Sequence, residues 1–166
     1  MAFGVEKIIF ISIYLDIKII YDTIFMRRIG KRCEMKKVLI LCTGNSCRSI
    51  IAEALVNAKL EGIEAQSAGV RASGKVNAYA KRVLEEEGIW SDTYHSKTVD
   101  DVLDINFDLV VTVCDHANEA CPMFPKPIPK IHVGFSDPDG KDYGAFILTY
   151  QAIEAELLLI IKEKIA

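Results

Sequence analysis

The apolar run Val38-Leu39-Ile40-Leu41 ends on a cysteine, and the eight residues Cys42-Thr43-Gly44-Asn45-Ser46-Cys47-Arg48-Ser49 lead straight into a helical pattern. A strand handed to a helix through so short a segment makes a strand–loop–helix unit, with the loop at a strand end and at a helix N-terminus. Such a loop can wrap its backbone N–H groups around a tetrahedral oxyanion, and Arg48, six positions after Cys42, supplies a planar fork of donors to two of its oxygens. Gly44 and Asn45 are residue types that tolerate a strained backbone. The same field favours a thiolate, since helix N-termini and adjacent cations bring cysteine pKa values from about 8.5 to roughly 3.5–7.5. Cys42 is therefore expected to be an ionised nucleophile. Taken alone, a cysteine separated from an arginine by five residues arises by chance, and cysteine is among the most buried residue types. Placement directly after a strand is what favours chemistry over packing.

The 166 residues suffice for one core, and a net charge of −3 leaves no basic footprint for nucleic acid. Five cysteines at uneven spacing, with no credible export signal, fit a reducing compartment where thiols act as chemistry; a cytoplasmic protein is expected. Residues 1–34 read differently from the rest. Asp16, Lys18 and Asp22 interrupt Ile8 to Phe25 short of the ~18 uncharged apolar residues of a membrane span. Met35-Lys36-Lys37-Val38 looks like a natural start, so 1–34 is expected to be an N-terminal extension, not necessarily native, and 35–166 the functional domain. A membrane-surface helix backed by Arg27, Arg28, Lys31 and Arg32 is the alternative for the extension.

From Lys37 onward strand and helix alternate. Lys37–Leu41, Ile63–Ser67, Asp108–Val113 and Ile131–Val133 read as strands, the third a nearly unbroken apolar run of the kind covered on both faces. Ser49–Leu60, Asn77–Glu87 and Tyr143–Lys164 carry apolar residues at helical spacing, and Gly88 marks a helix stop. Thr98 and Asp101 predict a capped short helix to about Asn106. The region of Trp90 and His95 reads as loop. This alternation implies an α/β three-layer sandwich, a four-stranded parallel sheet of flavodoxin-like topology with helices on both faces. Ligands of such sheets bind beyond the C-terminal strand ends, which places Cys42 and Cys114 on one edge.

Cys42-Thr43-Gly44-Asn45-Ser46-Cys47-Arg48-Ser49 resembles the phosphate-binding loop of the low-molecular-weight protein tyrosine phosphatase superfamily, and its wording is most similar to the arsenate reductase branch. The resemblance covers most of Lys36–Lys164. A phosphatase of this kind needs a loop cysteine, an arginine and an acid. This chain adds Cys114 at a strand end and Cys121 seven residues on, followed by Pro122, Pro125, Pro127 and Pro129. A helix between those cysteines would hold them about 10.5 Å apart, whereas a disulfide needs Cα atoms about 4.4–6.8 Å apart. A Cys114–Cys121 bond therefore requires that segment to loop out.

What the resemblance implies is a thioredoxin-coupled arsenate reductase. The loop thiolate Cys42 would attack arsenate, Cys114 would attack Cys42 and release arsenite, and Cys121 would attack Cys114, leaving a disulfide for thioredoxin or, alternatively, a glutaredoxin. It implies no tightly bound cofactor, a monomer, and no nucleic-acid or membrane partner. Asp137, in Phe135-Ser136-Asp137-Pro138, is expected to be the general acid that protonates the departing oxygen, against the plainer reading of Asp-Pro as a turn pair. Thr43, Gly44, Asn45, Ser46, Cys47, Arg48 and Ser49 form the oxyanion loop. Cys47 is expected to pack beneath it, and Ser46 and Ser49 to hydrogen-bond the Cys42 thiolate. Some family members bind potassium through residues corresponding to Asn45, Glu53 and Ser67 plus an acid, and Thr98 stands at that acid's place. The rivals are a low-molecular-weight tyrosine phosphatase with incidental Cys114 and Cys121, and a zinc or thiol module built on Cys114, His116, Cys121 and His132, whose spacing matches no common zinc pattern.

Overall fold

In the computed structural model the strands are β1 Lys36–Cys42, β2 Ile63–Gly69, β3 Leu109–Thr112 and β4 Lys130–His132, and the helices are α1 Arg48–Lys59, α2 Ala78–Glu86, α3 Asp115–Glu119 and α4 Tyr143–Ile165. The structure describes residues 35–120, 124 and 127–165. The N-terminal extension and Cys121, each given a role from the sequence, lie outside the described residues. Met35–Ala166 forms one compact unit.

The strands make a single sheet in the order β2-β1-β3-β4, parallel throughout. Val38 to Cys42 in β1 and all four residues of β3 are buried, as expected for the two central strands of a sheet covered on both sides. α4 buries Phe146, Ile153, Leu157 and Ile161 completely and packs against α1 and α2. Its length and composition would allow a membrane span, but this buried stripe makes it a core helix.

Expected and observed elements agree within about two residues at their ends, where fraying and capping blur boundaries. Asn77 serves as the N-cap of α2, its side chain accepting the Tyr79 N–H at 2.8 Å. Gly88 takes a φ of 70° just past that helix, the left-handed stop that glycine adopts without strain. The helix expected after Thr98 shrinks to a single turn, Asp100–Val102. The Asp101 carboxylate does accept the Thr98 N–H and hydroxyl, each at 2.7 Å. Further on, however, Asp108 is drawn to the start of β1, bonding the Lys37 backbone with both its N–H and its carboxylate at 2.8 Å. Chain committed to that edge cannot continue a helix.

Candidate active site

The loop between β1 and α1 crosses the end of the sheet with its carbonyls turned outward. Val70 donates its N–H to Cys42 O at 3.1 Å, Arg71 to Thr43 O at 2.9 Å, Ser73 to Gly44 O at 2.8 Å and Asn77 to Ser46 O at 2.9 Å. With the carbonyls so engaged, the loop's N–H groups are left for an anion. Gly69, which ends β2, is required by this crossing, because a Cβ there would lie 2.8 Å from Thr43 O. Asn45 takes the strained position at φ 46°. It is fully buried, and its side chain supports the bend from inside: Nδ2 donates to Ser49 Oγ at 3.0 Å and Ser67 Oγ at 2.7 Å, and Oδ1 accepts the Lys97 N–H at 2.6 Å.

Cys42 lies at the mouth of this loop, buried, and its Sγ is 3.7 Å from Cys114 Sγ. The two residues are 72 apart in sequence. β1 and β3 bring them together because Leu41 is registered with Thr112 and the Val113 N–H continues the ladder to Leu41 O. Thr43 Oγ1 reaches Cys114 Sγ at 3.2 Å. The hydrogen bond from Cys42, then those from the Thr43 hydroxyl and the Ala117 N–H, together with the Arg48 charge, hold the Cys114 thiol down to about 5 against the cost of its burial. Cys42 is pushed up by that shared contact and by burial, while Arg48 and the Thr43 N–H pull the other way. The Cys114 contact and burial thus oppose the Cys42 thiolate expected from the sequence, and Arg48 and the Thr43 N–H favour it. Two sulfurs this close share one negative charge.

Arg48 is buried and spans the mouth. Nη1 donates to Phe135 O at 2.9 Å and Nη2 pairs with the Asp137 carboxylate. Its Nε is buried and has no hydrogen-bond partner among the described residues. Asp137 is half exposed and anchored by the Asp139 N–H at 3.1 Å, an acid at the rim beside the anion-binding cation. Cys47 is buried, 3.6 Å from Ser46 Oγ, and burial pushes its thiol up to about 11. Ser49 Oγ accepts from Asn45 Nδ2 at 3.0 Å and Ser46 Oγ lies 3.6 Å from Cys47 Sγ; these contacts, and not the expected bonds to Cys42, are the ones seen among the described residues.

Asn45, Glu53 and Ser67, named from the sequence as a cation set, do converge. Ser67 Oγ donates to Glu53 Oε2 at 2.5 Å. Burial raises the Glu53 carboxyl, opposed by the Lys97 charge and the Ser67 hydroxyl. Lys97 is the residue that sequence reasoning missed: it sits in the region read as plain loop, and only the apposition of that loop to Asn45 and Glu53 gives it a role. His116 and His132 do not gather with Cys114 into a metal site, and among the described residues no group of three or more His, Cys, Asp or Glu could hold a metal ion. His132 instead bonds Asp115 at 3.1 Å and Thr112 at 2.8 Å.

The model of the low molecular weight phosphotyrosine protein phosphatase family matches residues 37–163. The chain belongs to that family. Within it, the chain is 41% identical over 112 residues to an arsenate reductase of Brevibacillus brevis, a match covering 67% of this chain and 83% of that relative. Two solved structures of the family superpose well. An arsenate reductase from Archaeoglobus fulgidus has TM-score 0.64 and 34% identity, covering 75% of this chain and 98% of that one. A low molecular weight protein tyrosine phosphatase from T. tengcongensis has TM-score 0.66 and 26% identity, covering 77% and 99%. The α/β fold and four-stranded parallel sheet are those of the family.

Proposed function

We propose that this chain is an arsenate reductase that converts arsenate to arsenite through a cysteine–arsenate adduct. The observation that carries the reading is the 3.7 Å separation of Cys42 Sγ and Cys114 Sγ at the anion loop. Hydrolysis has no use for a second sulfur there, whereas reduction needs one within reach of the first. A disulfide S–S bond is about 2.05 Å, so the pair closes by less than 2 Å.

Arsenate enters the loop, and its charge draws Arg48 into the fork geometry that two oxygens accept. Cys114 takes the Cys42 proton across their shared contact, which makes Cys42 the thiolate. Cys42 attacks arsenic, an S–As bond forms, and one oxygen departs as water with a proton from Asp137. Cys114, its proton lost to solvent, then attacks Cys42. The S–S bond forms as the S–As bond breaks, and the electron pair stays on arsenic, which leaves as arsenite. Cys121 attacks Cys114, expelling Cys42 as thiolate, and the Cys114–Cys121 disulfide is reduced to two thiols by thioredoxin. A glutaredoxin is the alternative donor. That second disulfide requires the segment between the cysteines to loop out, since a helix running from Cys114 to Cys121 would hold them too far apart. The protein is proposed to work as a cytoplasmic monomer with no tightly bound cofactor, away from nucleic acid and membrane.

NADPH oxidation with arsenate, thioredoxin and thioredoxin reductase tests the reading. Cys42→Ser should abolish turnover. Cys121→Ser should release a single equivalent of arsenite and then stop. No arsenite from the wild type, with steady hydrolysis of an aryl phosphate, would instead assign a phosphatase, the reading that the Asp137–Arg48 pair alone would support.

A further inference from the structure

A buried lysine stands behind the anion loop. The Lys97 side chain is nine-tenths buried and its Nζ lies 3.5 Å from Glu53 Oε1, itself 6% exposed. The same ammonium reaches His95 O at 3.5 Å. The oxygens that a potassium ion would need are already committed: Glu53 Oε2 accepts from Ser67, Asn45 Oδ1 from the Lys97 N–H, and Thr98 Oγ1 donates to Asp101. With a positive charge fixed among them, these residues do not fit a further cation. Burying Glu53 without a partner would leave an uncompensated charge under the loop.

We propose that the Lys97 ammonium is a tethered counter-cation for Glu53, standing in for a bound potassium ion, so that the Asn45–Ser67–Glu53 network shapes the oxyanion loop without any added monovalent cation. Lys97 acts at both ends of that network. Its backbone N–H fixes the Asn45 amide and so the left-handed bend of the loop, while its side chain neutralises the carboxylate on which Ser67 rests. It is a positioning residue and touches no substrate. The inference concerns oxyanion binding and holds whether the bound anion is reduced or hydrolysed.

The test is calorimetric binding of inorganic phosphate to the full chain at constant ionic strength, in potassium chloride and in tetramethylammonium chloride. The wild type should bind equally in both salts. Lys97→Ala should bind about tenfold more weakly in tetramethylammonium, and potassium or methylammonium should restore its affinity. Tighter wild-type binding in potassium would overturn the proposal. So would a variant that keeps full affinity in tetramethylammonium, or one that loses it and is rescued by neither cation, which would make Lys97 a packing residue only. Should the variant fail to fold, the thermal midpoint of the wild type decides: equal midpoints in the two salts are expected, and a higher one in potassium refutes the tethered cation.

Discussion

The Cys42 loop and the α3 segment each present a sulfur to the same edge of the sheet, but they are held in opposite ways. Around Cys42, four loop carbonyls are bonded to residues 70–77, and Asn45 and Ser49 are wholly buried. α3 is five residues long and buries only Ala117. It is tied down by an exposed His132–Asp115 pair, a Lys130 contact to Asn118 O at 3.3 Å and Thr112 at 3.4 Å from Asn118 Oδ1. A helix of that length has little stability of its own. One sulfur is fixed so that an anion meets a prepared geometry, while the other rides on an element that few contacts keep closed. That asymmetry is what a relay needs, because the oxidised bond must start in a rigid site and leave on a movable one.

The contrast can be broken most strongly at the movable sulfur. Cys114→Ser should lower arsenate reduction by about 10³-fold or more yet leave phosphate binding by the loop intact, as measured by coupled NADPH oxidation and calorimetry side by side. At the rigid site, Asp137→Asn should slow reduction by about 10²-fold with nearly unchanged oxyanion affinity; unaltered turnover would remove Asp137 from the mechanism. The sharing of charge can be followed through thiolate absorbance. Cys114 should titrate near 5, its reactivity falling as pH drops through that value, and Cys42→Ala should move the titration up toward an ordinary thiol because the hydrogen bond from Cys42 is gone. The smallest effect belongs to the tie on α3. His132→Ala should cost under about 1 kcal/mol of global stability, as exposed pairs do, while speeding amide exchange in α3 and not in residues 42–49.

Much of the site was legible because it is local. Cys42, Arg48 and the glycine and asparagine between them lie within one short segment, and Asp137 carries its turn partner Pro138 beside it. The strands and the long helices were legible for the same reason, since alternation and helical spacing repeat over neighbouring residues. The turn at Asp100–Val102 was misjudged because Asp108 answers to Lys37, far away in sequence. The Cys42–Cys114 contact was not legible because the two residues are 72 apart in sequence. Lys97 passed as loop because nothing near it in the chain explains a buried lysine.

The sequence by itself determined that a cysteine and a guanidinium would share one loop at the end of a parallel strand, because chain geometry over a few residues dictates that arrangement. Only the tertiary structure decided how near the second sulfur stands to the first and which cation lies beside Glu53. Those depend on distances between residues that strand register and loop packing bring together, and electrostatic and thiol chemistry falls off over a few ångströms that no spacing along a chain can encode.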